Sequence, residues 1–180
     1  MKAWKRVEPT EIVQLGRRTM VGKHFVDPTG VTQEFYTMHS EHAHATAVIA
    51  LTPDNQVIVA RQFRPGPQRT LDDLPGGGVD VGEDLEVAAI RELREETGYV
   101  PGSVKKLGTV WRDGYVNSLH HYYLATDCVL HPDGQQLDDY EYVEPVLISI
   151  EQLFENTRNG LMTDLGAVLF AYDELQARIA

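Results

Sequence analysis

Hydrophobic and polar positions divide the chain into an early part that alternates with a period of two and a later part where longer periods appear. Residues 5–7, 17–26 and 32–38 mix β-branched or aromatic side chains with polar ones, and Asp27-Pro28-Thr29-Gly30 turns the chain between the last two stretches. This pattern predicts a small antiparallel sheet. Residues 46–51 and 56–64 are richer in aliphatic side chains and flank the turn-forming Thr52-Pro53-Asp54-Asn55, so they are expected to be central strands. A loop rich in Pro and Gly covers residues 65–82. Residues 84–97 then read as a helix, with Glu83 or Asp84 at its N-terminal end and Gly98 as its stop. Strands are expected at 104–111 and 120–128. Helices are expected at 150–158 and 163–179, the second with Leu165, Val168, Leu169, Tyr172 and Leu175 on one face. No internal repeat or low-complexity segment interrupts this order.

With 180 residues and 42% hydrophobic content, the chain can bury a sizeable core, and its length fits one domain carrying a small appendage. We expect residues 1–42 to form an N-terminal β appendage and residues 43–180 the main domain. The formal net charge of −11 argues against a nonspecific nucleic-acid binder, which needs a surplus of Lys and Arg to displace counterions from phosphates. A phosphate-bearing ligand would have to be met by local cations. Cys128 is the single cysteine, so an intrachain disulfide is ruled out and the residue reads as a small buried hydrophobe. Residues 1–13 mix Lys2, Lys5, Arg6, Glu8 and Glu11 with scattered apolar positions and contain no continuous apolar run. No stretch reaches membrane-spanning length, and the expected location is the cytoplasm, with no membrane partner.

The helix at 84–97 carries the chemistry. On a helical wheel centred on Glu92, Glu96 lies about 40° to one side and Glu95 about 60° to the other. Leu85, Ala88 and Ala89 share that arc, so the acids continue the stripe that faces inward. Like charges one turn apart cost only about 0.2–0.5 kcal/mol in water, and more once partly desolvated. Arg91 reaches Glu95 across one turn, but one guanidinium cannot neutralise three acids. A hard divalent cation with oxygen ligands can, and Mg²⁺ suits a few carboxylates supplemented by water and substrate phosphates. Helix geometry alone is equally compatible with glutamates on a solvated face, since Glu is a good helix former. The preceding Leu74-Pro75-Gly76-Gly77-Gly78 adds three consecutive glycines, which permit close backbone approach to a ligand.

From Gly77, five residues lead to Glu83 and seven more to Arg91-Glu92-Leu93-Arg94-Glu95-Glu96-Thr97-Gly98-Tyr99. Every fixed position of the Nudix box is matched, and the chain resembles the Nudix hydrolases. The resemblance implies an α/β fold with a mixed sheet sandwiched between helices. It implies Glu92 and Glu96 as principal ligands of Mg²⁺, or of Mn²⁺, with Glu95 beside them as a ligand or as a carboxylate orienting water. The Gly76 carbonyl resembles the family's backbone ligand, and Arg91 and Glu83 resemble the pair that holds loop against helix in support of the site.

Outside the box the chain is most similar to the ADP-ribose pyrophosphatase branch, through the N-terminal β appendage, the strand ending Arg61-Gln62-Phe63-Arg64, Leu-Pro-Gly-Gly at 74–77 and the two C-terminal helices. It departs from that branch at Asp73, where a glutamate is common. It departs again at Asp113-Gly114-Tyr115-Val116-Asn117-Ser118, where the branch carries a proline and where Tyr115 resembles the dinucleoside polyphosphate branch instead. The acidic segment 138–144 reads by itself as a solvated loop. The resemblance makes it a loop that supplies a catalytic carboxylate, best matched by Glu141, with Glu144 and Asp139 as substitutes. Arg64, then Arg61 and Arg112, are the candidates for contact with substrate phosphate or ribose. Trp111, Phe35 and Tyr36 are either core residues or stacking surfaces for a base. One of His120 and His121 is expected to face inward.

The expected function is hydrolysis of the pyrophosphate bond of a nucleoside diphosphate derivative, with ADP-ribose or a related ADP-sugar first and dinucleoside polyphosphates or other nucleotide sugars as the alternative. The resemblance also implies a homodimer built through the N-terminal sheet. A non-catalytic sensor of ADP-ribose is the reading from another class, which the retention of all three helix acids speaks against.

Overall fold

The computed structural model describes residues 3–179, so expectations that touch Lys2 or the chain limits at 1 and 180 lie outside the described residues. In chain order the elements are β1 (Lys5–Leu15), β2 (Arg18–Val26), β3 (Thr32–Leu51), β4 (Val57–Arg64), β5 (Arg69–Asp73), α1 (Leu85–Thr97), β6 (Tyr99–Val100), β7 (Ser103–Trp111), β8 (Val116–Thr126), β9 (Val129–Leu130), β10 (Val143–Ile148), α2 (Ile150–Arg158) and α3 (Leu165–Ile179). They form two compact units: Met1–His44 with Trp111–Leu119, and Ala45–Val110 with His120–Ala180.

The first unit is an antiparallel meander in which β1 pairs β2 and β2 pairs β3. β1 is much longer than the three residues expected. Most of its side chains are exposed, so little alternation marks it in the sequence, and its ladder with β2 shifts register between Val7 and Thr10. The returning segment is tied in by Asn117, whose Nδ2 donates to Thr37 Oγ1 at 2.9 Å and the His39 carbonyl at 2.8 Å. Its Oδ1 accepts from Lys23 Nζ at 2.6 Å.

In the second unit, period-two alternation along the strands sorts aliphatic side chains onto two faces. Ile49, Leu51, Val57, Val59 and Leu124 pack with Leu153 and Phe154 of α2 and with Val168, Ala171 and Leu175 of α3. Val48, Ala50, Ile58, Tyr123 and Ala125 pack with Ala89 and Leu93 of α1, together with Cys128. The result is a sheet with helices on both sides, in which the near-continuous apolar runs of β3 and β4 reflect burial on both faces. Among the described residues no helix is long and apolar enough to cross a membrane.

Besides β1, other elements differ from the sequence expectation: the strands expected at 32–38 and 46–51 are one continuous strand, β3, which carries the chain from the first unit into the second. β5 lies inside the loop read as irregular, and β10 begins inside the acidic segment. Pro145 obscures β10, because proline cannot donate to a ladder; the strand pairs β4, with Pro145 opposite Ala60. The buried face of α3 is Ala167, Val168, Ala171 and Leu175, whereas Leu165, Leu169 and Tyr172 are exposed. Small alanines let the helix approach the core closely, and the larger residues turn outward.

Candidate active site

Helix α1 starts where Asp84 Oδ1 accepts from Glu86 N at 2.9 Å and Val87 N at 3.2 Å. It ends at Gly98, whose φ of 78° is cheapest for glycine and whose N–H donates to the Arg94 carbonyl. Ala88, Ala89 and Leu93 bury one face, and the arc continues into Glu96, which is only 6% exposed, and half-buried Glu92 and Glu95. The inward stripe and the acids are therefore one surface of the helix.

The glycine loop is shaped by β3. The Pro75 and Gly77 carbonyls accept from Val48 N and Thr46 N, both at 2.9 Å, so the residue between them turns its peptide groups the other way. Gly76 N accordingly donates to Glu96 Oε2 at 2.8 Å. A Cβ on Gly76 would lie 2.1 Å from the Thr46 carbonyl oxygen, and one on Gly77 would lie 2.5 Å from Glu92 Oε1. The absence of side chains is what lets the loop and the carboxylates meet.

Arg91 sits among the acids. Its Nε and Nη2 donate to the two oxygens of Glu83 at 2.8 and 3.1 Å. Its Nη1 donates to Glu92 and Glu95, both at 2.9 Å, and its Nη2 also reaches the Gly78 carbonyl at 3.1 Å. The guanidinium and the Asp80 N–H hold Glu83 down at about 2. Burial pushes Glu92 up despite Arg91. Glu96 is pushed up to about 8, chiefly by burial and further by the charges of Glu92 and Glu141, while the Gly76 N–H and Arg64 oppose the rise.

The donor set consists of carboxylates, with more negative charge than Arg91 can balance and a backbone cradle that admits no Cβ, and it fits a hard divalent cation. Among the described residues no three His, Cys, Asp or Glu side chains close into a ready cage. Arg91 engages Glu92 and Glu95, and the Gly76 N–H engages Glu96. That arrangement suits Mg²⁺, which keeps several waters and takes few protein ligands.

The predicted arginines have different surroundings. Arg64 Nε donates to Asp73 Oδ2 at 2.5 Å, and the charge of Arg64 also acts on Glu96. Arg61 is bidentate to Asp72 at 2.6 and 3.0 Å, and Asp72 also accepts from Asn156 of α2. Arg112 belongs to the first unit, where it is exposed and its charge helps burial lower His39.

Glu141 is half-buried, and its charge bears on both Glu92 and Glu96. Glu144 instead sits opposite Arg61 in β10, and Asp139 is exposed. Trp111 is 63% exposed, so it is not a core residue, and Phe35 packs edge-on to Trp4 and Phe25. Both His120 and His121 are buried, where one was expected.

Sequence reasoning missed the anchor of Arg64. Asp73 is fully buried, and its Oδ1 accepts from Thr163 N at 2.8 Å and Thr163 Oγ1 at 3.0 Å. The signal was Asp73 itself, a second carboxylate directly before Leu74 and Pro75.

Comparison with known proteins bears on the family and the fold. The model of the NUDIX domain matches residues 41–165. The ADP-ribose pyrophosphatase of Bacillus subtilis (strain 168) is 33% identical over 112 residues, which cover 62% of this chain and 60% of that protein. The ADP-ribose pyrophosphatase of Saccharomyces cerevisiae is 39% identical over 98 residues, covering 51% of this chain and 42% of that one. The match thus spans about half the length of these two relatives. A crystal structure described as an ADP compounds hydrolase aligns over 97% of this chain and 96% of its own with a TM-score of 0.77; at 20% identity this likeness concerns the fold. With the box residues gathered as described and the domain model covering most of the chain, this protein belongs to the Nudix family.

Proposed function

We propose that the chain is a Mg²⁺-dependent pyrophosphatase that hydrolyses the diphosphate of ADP-ribose or a related ADP-sugar, giving AMP and a sugar phosphate. The observation that carries this reading is Glu96: a buried carboxylate fixed by the Gly76 N–H beside the charges of Glu92 and Glu141. Glu92, Glu95, Glu96 and the Gly76 carbonyl would hold the cation, and Arg91 with Glu83 would keep loop and helix in register. A bound Mg²⁺ would neutralise phosphate oxygens and make water more acidic. Arg64, anchored by Asp73, would contact a phosphate oxygen and take up charge on the leaving group. Glu141, whose charge bears on Glu92 and Glu96, would accept a proton from the attacking water, with Glu144 and Asp139 as substitutes. The water oxygen then bonds to phosphorus as the bridging P–O bond breaks.

Similarity to two ADP-ribose pyrophosphatases supports this substrate class. We further propose that residues 1–42 act as an appendage that joins a second copy. This is supported by β1, an eleven-residue strand paired only with β2 in the described sheet and exposing Ile12 and Leu15. The test is release of AMP from ADP-ribose, from other nucleotide sugars and from dinucleoside polyphosphates, with and without Mg²⁺. Metal-dependent cleavage led by ADP-ribose is expected. Cleavage of none of them, or equal rates after chelation, defeats the reading.

A further inference from the structure

Within the second unit, the last turn of α1 carries acids on its side chains and open carbonyls on its backbone. A helix leaves the carbonyls of its final residues without N–H partners of its own. Here one stretch of chain, residues 131–136, meets two of them and the carbonyl of Gly98 just beyond. His131 N donates to the Gly98 carbonyl at 2.8 Å, Gln136 N donates to the Glu95 carbonyl at 3.0 Å, and Gln135 Nε2 donates to the Glu96 carbonyl at 2.6 Å. The approach is so close that a Cβ on Gly98 would lie 2.9 Å from the Gly134 carbonyl carbon. Glu95 and Glu96 thus hold this stretch by their backbones while their side chains belong to the acid arc.

Gln135 does more than cap the helix. A carboxamide NH₂ has two N–H donors, and the second reaches the Val143 carbonyl at 3.2 Å, where β10 begins. One nitrogen therefore ties the end of α1 to the start of β10 and closes residues 136–142 into a short loop. Val143 is itself fixed by its ladder position opposite Gln62. Inside the loop, Glu141 N donates to the Asp138 carbonyl at 2.9 Å, and Asp138 N donates back to Glu141 Oε2 at 3.2 Å. Glu141 stands two residues from the tied carbonyl, and its charge bears on Glu92 and Glu96. A short loop tied at its stem has little freedom, so the tie sets where Glu141 stands.

We propose that Gln135 is a positioning residue, which holds the loop bearing Glu141 against the acid-bearing turn of α1 by donating to the Glu96 and Val143 carbonyls at once. It acts through Glu141, and the proposal rests on reading Glu141 as the proton acceptor. The test is a double-mutant cycle of Gln135→Ala with Glu141→Gln, read by steady-state kinetics on the nucleotide derivative that is cleaved fastest. Amide hydrogen exchange of the metal-free wild type and Gln135→Ala gives a readout apart from turnover. Gln135→Ala should lower kcat about 10-fold with KM little changed. In the Glu141→Gln background the same change should cost less than about 2-fold, because the group it aims is already gone. Deuterium uptake should rise across residues 136–142 and hold at the wild-type level in the first two turns of α1. Gln135→Glu keeps the length of the side chain but offers no N–H, so it should lower kcat at least as far. Wild-type kcat in Gln135→Ala beside a loss in Glu141→Gln would overturn the role of Gln135 and leave Glu141 standing. Equal losses from Gln135→Ala in both backgrounds, or unchanged uptake across 136–142, would overturn it too. A loss in Gln135→Ala beside wild-type kcat in Glu141→Gln would instead sink the Glu141 reading, and this role with it.

Discussion

Two arginine–carboxylate assemblies in the second unit differ in their charge balance. Around α1, Glu83, Glu92 and Glu95 converge on Arg91, and Glu96 adds a fourth carboxylate held by a backbone N–H. Between β4 and β5 the count is even, with Arg61 on Asp72 and Arg64 on Asp73. A balanced pair fixes geometry and asks for nothing further. A surplus of carboxylates on a half-buried helix is costly by itself, and the cation proposed above would relieve it. The first assembly therefore reads as a place to bind charge, and the second as a mount that aims an arginine.

The sharpest way to break this distinction is Glu96→Gln. Removal of this buried carboxylate, proposed as a metal ligand, should lower kcat/KM by about 10³-fold, the equivalent of several kcal/mol of lost transition-state stabilisation. Thermal stability without metal should hold or rise, because the amide carries no charge to desolvate and ends repulsion from Glu92 and Glu141. Glu141→Gln should act mainly on kcat, by about 10²-fold. Steady-state kinetics with paired melting curves check both. Wild-type turnover in Glu96→Gln would remove the basis for a metal at α1.

The surplus assembly was legible in the sequence because it is local. Residues 77–99 carry their own spacing, and a helical wheel suffices to bring Glu92, Glu95 and Glu96 together. The two-sided core was legible for the same reason, through the aliphatic runs of β3 and β4. The balanced assembly was not legible. Asp73 meets Thr163, 90 residues away in sequence, and no periodicity encodes that contact. β10 was hidden by Pro145 and by its acidic start, which imitate a loop. α3 was legible as a helix but not in its facing, because Leu169 and Tyr172 look like core residues until packing selects Ala167 and Ala171.

Asp73→Asn tests the mount. The amide oxygen can still accept from Thr163, but its NH₂ then faces the Arg64 Nε–H, donor against donor. Loss of about 1–3 kcal/mol of stability is expected from the buried groups left unpaired. If Arg64 contacts substrate, KM should rise about 10-fold while kcat changes less. A fall in stability with unchanged KM would make Asp73 purely structural. The two glycines that meet the α1 carboxylates separate stability from activity. Gly76→Ala collides with the Thr46 backbone and should cost about 1–3 kcal/mol or more. Gly77→Ala meets only the end of the flexible Glu92 side chain, so melting should barely change while activity falls by roughly 10-fold.

A pH-dependent effect lies inside the surplus assembly, where two glutamates are shifted in opposite directions. Arg91 holds Glu83 well below its ordinary value, at about 2, so the stability it contributes is fully present above an unfolded pKa near 4.5 and is lost as pH falls toward 2. Glu96, raised to about 8, binds its proton more tightly when folded, so it weakens the metal-free fold as pH climbs from 4.5 to 8. Denaturant titrations of Glu83→Gln and Glu96→Gln against the wild type should therefore diverge at opposite ends of the pH scale. The Glu83→Gln deficit should shrink from pH 5 to pH 2, and the relative gain of Glu96→Gln should grow from pH 5 to pH 8. Added Mg²⁺ should erase the second trend and leave the first, because a cation relieves the surplus at Glu96, whereas Glu83 is already answered by Arg91. Parallel pH profiles for the two variants would mean that the arc is uniformly solvated and that its negative charge needs no ion.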